Sequence, residues 1–519
     1  MAPIRPAPSH PASSTHVARS AALVAFLFAA AKLLGLVRDA VIGHAFGASA
    51  EMDAYYAAFE LPDGLFTVVA GSAMATTLIP ILSARIARGD REGTWRMVSA
   101  VVNLALLIVA GVSVVAAVFA PQVIHAVAPG FDPYRTGLAV RLMRLVLLQT
   151  LISSASGITM SVLQAHQHFL LPAAAPLAYT LGRIGGTLLL APRWGIFGLA
   201  YGGLAGTVGH FLIQVPGLIR YRARWWPTLH HDDLAQVLAL MGPRMLGLGA
   251  TYLNFVLPTF LGSRLAEGAI AAYEYGWRLM QFPETIIGTA LGLTVFPTLA
   301  ERANAGDRAG LRRTGAWALR LVLTLAVPAG AGLLLLGRPL TGLFLQRGAF
   351  DAAATDRVYW ALQFFALGLV GHAALEVVAR LFYAQRDMWT PLWAALGGLA
   401  VNAGVGWLLL PALAHGSIAF SNGLGAWLQV GVLLAVARAR LGGIEGRALG
   451  GTLARTLGAT AAMGAAVIGL RLALPGPETG LRALLGLGVG ATTYLLAAAL
   501  LGSAEITSLP GLLMGRRGR

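Results

Sequence analysis

The sequence predicts an all-α polytopic membrane protein with fourteen transmembrane helices in two pseudo-symmetric bundles. Of its 519 residues, 57% are hydrophobic and only 12% are charged, whereas a soluble protein is about 25% charged. The mean hydropathy is +0.71. Apolar segments of about 20 residues or more recur along the chain, and each is long enough to cross ~30 Å of hydrocarbon as a helix. A stretch of sequence also repeats at a constant offset, which indicates two related halves.

The apolar segments follow a start that is rich in Pro and Ser. Residues 1–16 lack the charged region, short apolar core and cleavage site of a signal peptide, so we expect a disordered tail. The predicted spans are 20–46, 55–83, 96–120, 137–164, 170–190, 195–219, 234–262, 270–300, 314–336, 356–384, 390–412, 416–437, 449–473 and 481–503.

The basic residues predict the orientation of these spans. They are 37 Arg and a single Lys, Lys32, and the formal net charge is +16. If the first residues are cytoplasmic, 20 arginines lie in cytoplasmic segments and 8 on the opposite side. Because cytoplasmic loops carry the excess of Arg, we expect both termini inside, with residues 506–519 as a basic cytoplasmic tail.

Several function classes are excluded. The arginines are scattered between apolar runs, so no basic face is predicted for nucleic acid. Lys32 follows Ala31 rather than the Gly of a phosphate-binding loop, which excludes ATP hydrolysis on this chain. The chain has no Cys, and we expect no metal site at its paired histidines. The predicted loops are short and carry no hydrolase motif, so we expect a protein that is not an enzyme.

The repeat predicts the domain organisation. Residues 71–96 match residues 288–313 at an offset of 217, with eleven of 26 positions identical. This offset spans six predicted helices, so the two copies keep the same orientation in the membrane. We therefore predict one six-helix bundle over 17–225, a second over 226–445, and an additional helix pair over 446–505. Two related bundles around a central cavity are typical of an alternating-access transporter.

The first span carries three ionisable residues. Lys32 lies about midway along the apolar segment, where a charge is costly unless it faces a cavity or a partner. We therefore expect Lys32 to face a cavity. Arg38 and Asp39 either face the same cavity or pair locally near the membrane surface.

The second span opens with three acidic residues, Asp53, Glu60 and Asp63, around Pro62. This trio could bind a cation or a proton, or it could pair with the basic residues of the first span. We favour the pairing. Pro62 and the glycine that follows it suggest a break or a kink in the helix.

The eighth and tenth spans each carry an acidic and a basic residue four positions apart, Glu274 with Arg278 and Glu376 with Arg380. Each pair can bond along its helix. Alternatively, a guanidinium in an apolar bundle can grip a phosphate with two hydrogen bonds. Together with Lys32 and Arg38, these arginines predict a cationic cavity that suits an anionic head group.

Several colinear stretches resemble the MurJ (MviN) family of lipid II flippases, within the multidrug/oligosaccharidyl-lipid/polysaccharide exporter superfamily. They cover about residues 20–440. The matching stretches are GLVRD at 35–39 with FGA at 46–48, Asp53–Ala54 through Leu61–Pro62, RLMQFP at 278–283 followed by GTALGLTVFPTLA, LFLQRGAF at 343–350 and ARLFYAQRDMWTP at 379–391.

The resemblance implies a specific activity. Such proteins have fourteen helices and a central cationic cavity, and they move undecaprenyl-pyrophosphate-linked disaccharide-pentapeptide across the bacterial inner membrane for peptidoglycan synthesis. In the family, the last two helices, which correspond to the additional pair over 446–505, form a groove thought to take the lipid tail. The cavity residues of the family map onto Lys32, Arg38, Arg278 and the acidic Asp53. We expect a monomer with no cofactor, and coupling to the membrane potential or to a monovalent cation stays open.

The chain departs from the family pattern at three places along the sequence. Lys32 stands where the family usually has Arg, so the positive charge is kept but the two parallel hydrogen bonds of a guanidinium are lost. After the Leu-Pro dipeptide the family commonly has Asn and then a basic pair, whereas this chain has the run DGLFT at 63–67. Gly71 replaces a frequent Glu of the second span. An exporter of another undecaprenyl-linked oligosaccharide or amphiphile is therefore the alternative. A membrane enzyme or a scaffold without transport is less favoured.

Overall fold

A computed structural model describes residues 14–69, 72–474 and 480–507, and these residues lie in helices and the turns between them. Two π-helical turns, Gly186–Leu190 and Thr285–Thr289, connect consecutive helices. The helices are α1 Ser14–Phe46, α2 Ala50–Val69, α3 Ser72–Ala87, α4 Arg91–Val118, α5 Ala120–Val127, α6 Pro133–Ala165, α7 Leu170–Gly185, α8 Ala191–Trp194, α9 Ile196–Leu212, α10 Val215–Arg220, α11 Leu234–Gly262, α12 Ala269–Glu284, α13 Ala290–Asn304, α14 Arg308–Leu345, α15 Ala352–Ala384, α16 Trp389–Leu413, α17 His415–Leu441, α18 Gly446–Ala473 and α19 Gly480–Leu500.

The helices confirm an all-α, multi-pass membrane protein. Ten helical stretches among the described residues are long and apolar enough to cross a membrane by length and composition. Large apolar side chains such as Leu189, Leu408 and Leu500 are at least three-quarters exposed, which suits a surface in contact with lipid. Each of the fourteen predicted spans coincides with one helix or with consecutive helices, so the fourteen-helix expectation is consistent with the structure.

Two local predictions are wrong. Residues 14–16, predicted as part of the tail, already belong to α1; the last proline of the tail is Pro11, so nothing beyond it prevents a helix. Of the break or kink predicted at Pro62, the break is wrong, because α2 runs through Pro62 to Val69, and the kink stays a prediction. Membrane helices tolerate proline because neighbouring groups satisfy the backbone that the ring leaves unpaired. Residues 1–13 and 508–519 of the predicted tails, and Gly71, lie outside the described residues.

The predicted repeat is a structural one. In each copy an aspartate caps the next helix: Asp90 accepts a hydrogen bond from the Gly93 amide at 2.9 Å, and Asp307 accepts one from the Gly310 amide at 2.7 Å. An arginine five residues earlier pairs with the same aspartate, at 2.5 Å in the first copy and 2.8 Å in the second. The glycine before each aspartate has a positive φ, 74° and 68°.

A second repeated geometry follows at an offset of 219. The turns before α7 and α16 place Gln167 and Arg386 at φ 59° and 62°. The turns before α9 and α17 likewise place Gly195 and Ala414 at φ 54° and 48°. A non-glycine residue in this left-handed region is uncommon, so its recurrence at matching positions supports a common origin for the two copies.

The described chain forms two compact units that interleave along the sequence. Unit 1 comprises residues 1–42, 61–120 and 140–248, and unit 2 comprises 43–60, 121–139 and 249–519. Unit 1 has a core around Leu78, Trp95 and Ile158. The core of unit 2 includes Phe365 and Phe382. The bundle limits predicted from the repeat, 17–225 and 226–445, stay a prediction.

The additional helix pair belongs to unit 2. Helices α18 and α19 pack against each other and against α14. The hydroxyl of Tyr494 on α19 donates to the carbonyl of Thr324 on α14. Just after α19, the buried Glu505 accepts hydrogen bonds from Thr452 at 3.0 Å and Ser503 at 3.2 Å, and it pairs with Arg320 at 3.4 Å. Helices α18 and α19 are therefore fixed to α14 by two polar contacts, one at Thr324 and one at Arg320.

Candidate functional site

The residues predicted from the sequence divide between the two units, and each unit is described by itself. Unit 1 holds Lys32, Arg38, Asp39 and Asp63. Unit 2 holds Asp53, Glu60, Glu274, Arg278, Glu376 and Arg380.

In unit 1, helix α1 presents an exposed lysine and a local ion pair. The side chain of Lys32 is exposed, and a side chain at the nearby Gly35 would meet no atom within 4 Å. Arg38 donates from Nε to Asp39 Oδ1 at 2.9 Å, and its Nη2 lies 2.8 Å from the same oxygen. The local pair of Arg38 with Asp39 is thus observed, and the cavity role of both residues stays a prediction. Asp63 on α2 is exposed.

In unit 2, the fully buried Asp53 caps the start of α12. Its two carboxylate oxygens accept hydrogen bonds from the amides of Gly268 at 2.7 Å and Ala271 at 2.8 Å. The residue at the N-cap position, Gly268, has no side chain to do this. The carboxylate thus satisfies donors that a helix start leaves unpaired, and its charge is stabilised by the helix dipole.

The ion-pair partner of Asp53 is Arg135, with Nη1 at 3.7 Å from Oδ2. The predicted pairing of Asp53 with Lys32 or Arg38 is therefore wrong. Arg135 is itself buried, and its Nε donates to Asp132 at 2.6 Å. The backbone amide of Arg135, followed by its side chain, lowers the pKa of Asp132 by hydrogen bonding to the carboxylate. Sequence analysis missed Arg135, which we counted only as an arginine between spans.

Two glycines allow close backbone contacts around this cap. Gly268 has φ 81°, and a side-chain carbon there would lie 2.1 Å from the carbonyl oxygen of Ala48. Gly47 has φ 62°, and a side-chain carbon there would lie 2.5 Å from the carbonyl oxygen of Ala349. Both positions therefore require glycine for conformation and for space.

Glu60 lies about two helical turns after Asp53 on α2, and it contacts α11. Its Oε1 accepts a hydrogen bond from the hydroxyl of Thr259, and its backbone carbonyl accepts one from Tyr252 at 2.8 Å. The carboxylate is therefore held by a hydroxyl group. A pairing of Glu60 with the basic residues of α1 stays a prediction.

Arg278 lies on α12 between a carboxylate and an aromatic ring. Its Nη2 is 3.7 Å from Glu274 Oε2, which is an ion pair longer than a hydrogen bond. The guanidinium carbon lies 5.2 Å from the centre of the Tyr56 ring, within the range of a cation–π contact. The side chains of Arg278 and Glu274 are 25% and 27% exposed. A ligand could therefore reach the guanidinium, which the ring supports from one face.

Arg380 on α15 is held much more tightly. Its Nη1 lies 2.5 Å from Glu376 Oε2 and also donates to the backbone carbonyl of Glu376. The guanidinium packs so closely on α13 that a side-chain carbon at Gly292 would lie 2.2 Å from Nη1. The internal pair is thus observed for Glu376 and Arg380, and this arginine has less room for a ligand than Arg278.

The stretch ARLFYAQRDMWTP also builds the turn between α15 and α16. The Asp387 carboxylate accepts hydrogen bonds from the Thr390 amide at 3.0 Å and hydroxyl at 2.5 Å, and Arg440 Nη1 lies 2.5 Å away. Burial opposes the ionisation of Asp387, but these bonds outweigh it and lower its pKa to about 2. Part of the motif is therefore structural.

Sequence analysis missed two further buried charged residues. Arg183 lies within α7, is 7% exposed, and has its guanidinium carbon 5.8 Å from the centre of the Tyr179 ring. It falls inside a predicted span, so the criterion that selected Lys32 could have found it. Glu505 lies beyond the last predicted span, where no sequence signal marks a buried charge.

Comparison with known proteins identifies relatives along most of the chain. The family model for the lipid II flippase MurJ matches residues 42–476. The chain is 31% identical over 408 residues to the lipid II flippase MurJ of Burkholderia cenocepacia, covering 77% of this chain and 79% of the relative. It is 29% identical to the probable lipid II flippase MurJ of Synechocystis sp., covering 75% of each.

Solved structures share the fold. The structure of a lipid II flippase MurJ in an inward closed conformation matches with a TM-score of 0.78 at 21% identity, covering 95% of this chain and 100% of that one. An inward-facing multidrug resistance MATE family transporter of the MOP superfamily matches with a TM-score of 0.69 at 14% identity, covering 79% and 94%.

Proposed function

The chain belongs to the lipid II flippase MurJ family, and from this premise we propose that it moves lipid II from the inner to the outer leaflet of the bacterial inner membrane by alternating access. A flippase moves its cargo without a chemical reaction, so we assign no catalytic residue. In the proposed cycle, both termini are cytoplasmic, the protein acts as a monomer, and the cargo is recognised through its pyrophosphate.

The observation that carries this proposal is the environment of Arg278. Its side chain is 25% exposed beside the Tyr56 ring, whereas that of Arg380 is 16% exposed and in direct contact with Glu376 at 2.5 Å. A pyrophosphate offers more negative charge than one carboxylate and can accept two parallel hydrogen bonds from a guanidinium. We therefore assign Arg278 as the principal pyrophosphate anchor and Arg380 as a positioning residue.

Lys32 supplies a second basic group in the proposal. Its side chain is exposed although α1 is apolar around it, and an ammonium in that setting suits an anionic ligand. Arg38 is already paired with Asp39 at 2.8 Å, so we expect a smaller contribution from it. Binding shifts the transporter between two states only if these contacts differ between the states.

We propose that the membrane potential resets the empty carrier. Each elementary charge moved through the field is worth roughly 2.3 kcal/mol per 100 mV. The basic side chains of Lys32 and Arg278 would carry this charge. Coupling to a monovalent cation is the alternative.

Arg278→Ala tests the proposal in a strain depleted of its own lipid II flippase. We expect the variant to reach the membrane at the wild-type level and to fail to support growth, because the pyrophosphate loses its bidentate partner. Arg264→Ala is the matched control: this arginine also lies against aromatic rings, 4.3 Å from Phe260 and 4.9 Å from Trp407, but it is in the turn after α11 and should support growth. Growth of the Arg278→Ala strain at the control rate would contradict the proposal.

One observation favours a second cargo, another undecaprenyl-linked oligosaccharide. Asp63 is exposed, and it stands where the family commonly has Asn followed by a basic pair. An acidic group there would disfavour a pyrophosphate. Native mass spectrometry of the purified protein separates the two cargoes, with undecaprenyl phosphate and a non-peptidoglycan undecaprenyl-linked glycan as competitors. Preferential binding of lipid II that weakens in Arg278→Ala supports the first cargo, and preference for the glycan supports the second.

A further inference from the structure

The aromatic ring beside Arg278 belongs to a segment of α2 that is fixed to α12. Tyr56 lies about one helical turn after Asp53 on α2, and Asp53 caps the start of α12 through the amides of Gly268 and Ala271. All of these residues belong to unit 2. The place of the ring beside the helix that carries Arg278 is therefore set by hydrogen bonds at the start of that helix.

The Tyr56 ring has little freedom to move. The residue is 8% exposed. Its ring packs edge-on against the ring of Tyr55, with 6.0 Å between the ring centres and 80° between the ring planes. Tyr55 is itself buried and lies against Phe59, with ring centres 4.7 Å apart. Side chains packed this closely are held in one rotamer, so Tyr56 offers the guanidinium a fixed surface.

A guanidinium can contact a ring and a phosphate at the same time, because the two use different parts of the group. The ring attracts the cation through the face of its π-system. A phosphate accepts parallel hydrogen bonds from the N–H groups, which point outward in the plane of the guanidinium. A carboxylate such as that of Glu274 competes with a phosphate for these N–H groups, whereas the ring of Tyr56 does not.

The contact restricts Arg278 without covering it. The guanidinium carbon lies 5.2 Å from the centre of the Tyr56 ring, within the range of a cation–π contact, and the arginine side chain is still 25% exposed. A free arginine loses much rotamer freedom when it grips a ligand. Because the ring limits the orientations of Arg278 before a ligand arrives, less freedom is lost on binding and the affinity rises.

We infer that Tyr56 is a positioning residue for cargo recognition, whose ring holds the Arg278 guanidinium so that its N–H groups meet the pyrophosphate of the cargo. The inference rests on the proposed function, in which Arg278 is the principal pyrophosphate anchor. Tyr56 acts through Arg278 and needs no contact of its own with the cargo. Sequence analysis selected the charged residues of this segment and therefore missed it.

A double-mutant cycle of Tyr56→Leu and Arg278→Ala tests the inference, with lipid II binding by the purified full-length protein measured by native mass spectrometry. We expect Tyr56→Leu to weaken binding about fivefold, since a cation–π contact of a partly buried guanidinium is worth about 1 kcal/mol. In the Arg278→Ala background, the same substitution should change binding by less than about twofold, because the ring has no cation to hold. A merely structural role would give the same loss in both backgrounds.

Two further variants separate the ring from its hydroxyl and from its surroundings. Tyr56→Phe keeps the ring and should bind lipid II within about twofold of the wild type. Phe260→Leu is the matched control, because Phe260 also lies beside an arginine, with the guanidinium carbon of Arg264 4.3 Å from its ring centre, and it should bind like the wild type. All variants are compared below their thermal midpoints, so that only folded protein is measured.

Three results would overturn the inference and leave the proposed function in place. They are a loss of less than about twofold in Tyr56→Leu, equal losses in the wild-type and Arg278→Ala backgrounds, and a loss in Tyr56→Phe as large as that in Tyr56→Leu. Failure of the wild type to bind lipid II would instead contradict the proposed function, and this inference with it.

Discussion

Replacing Asp53 by alanine should open the first turn of α12. The carboxylate accepts two backbone hydrogen bonds, at 2.7 Å and 2.8 Å. Hydrogen bonds to a charged group contribute about 1.5–3 kcal/mol each. Part of this gain is offset by the cost of burying a carboxylate whose partner, Arg135, is 3.7 Å away. We therefore expect a net loss of about 2–4 kcal/mol in the local free energy of opening.

Amide hydrogen exchange read by mass spectrometry measures this loss directly. A change of 2 kcal/mol multiplies the opening equilibrium by about 30. Peptides that contain residues 268–272 should thus exchange about 30-fold faster or more in Asp53→Ala. Asp53→Asn keeps one acceptor oxygen, so its exchange rate at these residues should lie between those of Asp53→Ala and the wild type. Peptides from the middle of α15 should not change.

The control for this experiment is Asp351→Ala. Asp351 caps its own helix, α15, by accepting a hydrogen bond from Ala354 at 2.7 Å, and such a cap is worth about 1 kcal/mol. Its loss should speed exchange at the start of α15 about fivefold. If exchange at residues 268–272 in Asp53→Ala stayed within about twofold of the wild type, the carboxylate would not be stabilising α12 and the reasoning would fail.

Two further predictions concern the ends of other helices. The pKa of Asp387 is lowered from 3.8 to about 2 in the folded protein. Its contribution to the free energy of unfolding is therefore fully present above about pH 4 and is lost as the pH falls through 2. At pH 3 about half of this contribution is lost. The thermal midpoint should fall less between pH 6 and pH 3 in Asp387→Asn than in the wild type, and a parallel fall would refute the assignment. Glu505→Gln weakens its bonds to Thr452 and Arg320 and should destabilise α18 and α19 by about 1–3 kcal/mol, seen as faster exchange at 446–507; unchanged exchange would refute it.

The helices and the repeat could be predicted because both depend on local sequence. Hydrophobic runs determine the spans, and residues 71–96 and 288–313 share the Arg, Gly and Asp that build the turn before the next helix. The structure has this turn twice, with Asp90 and Asp307 in equivalent bonds. In the same way, the spacing of four residues predicted the contacts of Glu274 with Arg278 and of Glu376 with Arg380.

The partners of Asp53 could not be predicted, because they come from distant parts of the sequence. Gly268 is 215 residues away, and Arg135 lies in a segment that shows no signal except its own charge. Polarity alone favoured the nearest cations, on α1. The continuation of α2 through Pro62 is a similar case, since the sequence records the missing amide but not the surroundings that tolerate it.

The capping of α12 by Asp53 has a consequence for biogenesis. Residues 43–60 leave the ribosome about 215 residues before the helix whose first turn they complete, so unit 2 cannot mature in the order in which it is synthesised. The start of α2 must wait until α12 has been inserted before the Asp53 carboxylate can accept the amides of Gly268 and Ala271. A gene split between the two sequence repeats would therefore yield a C-terminal fragment that lacks part of its own fold.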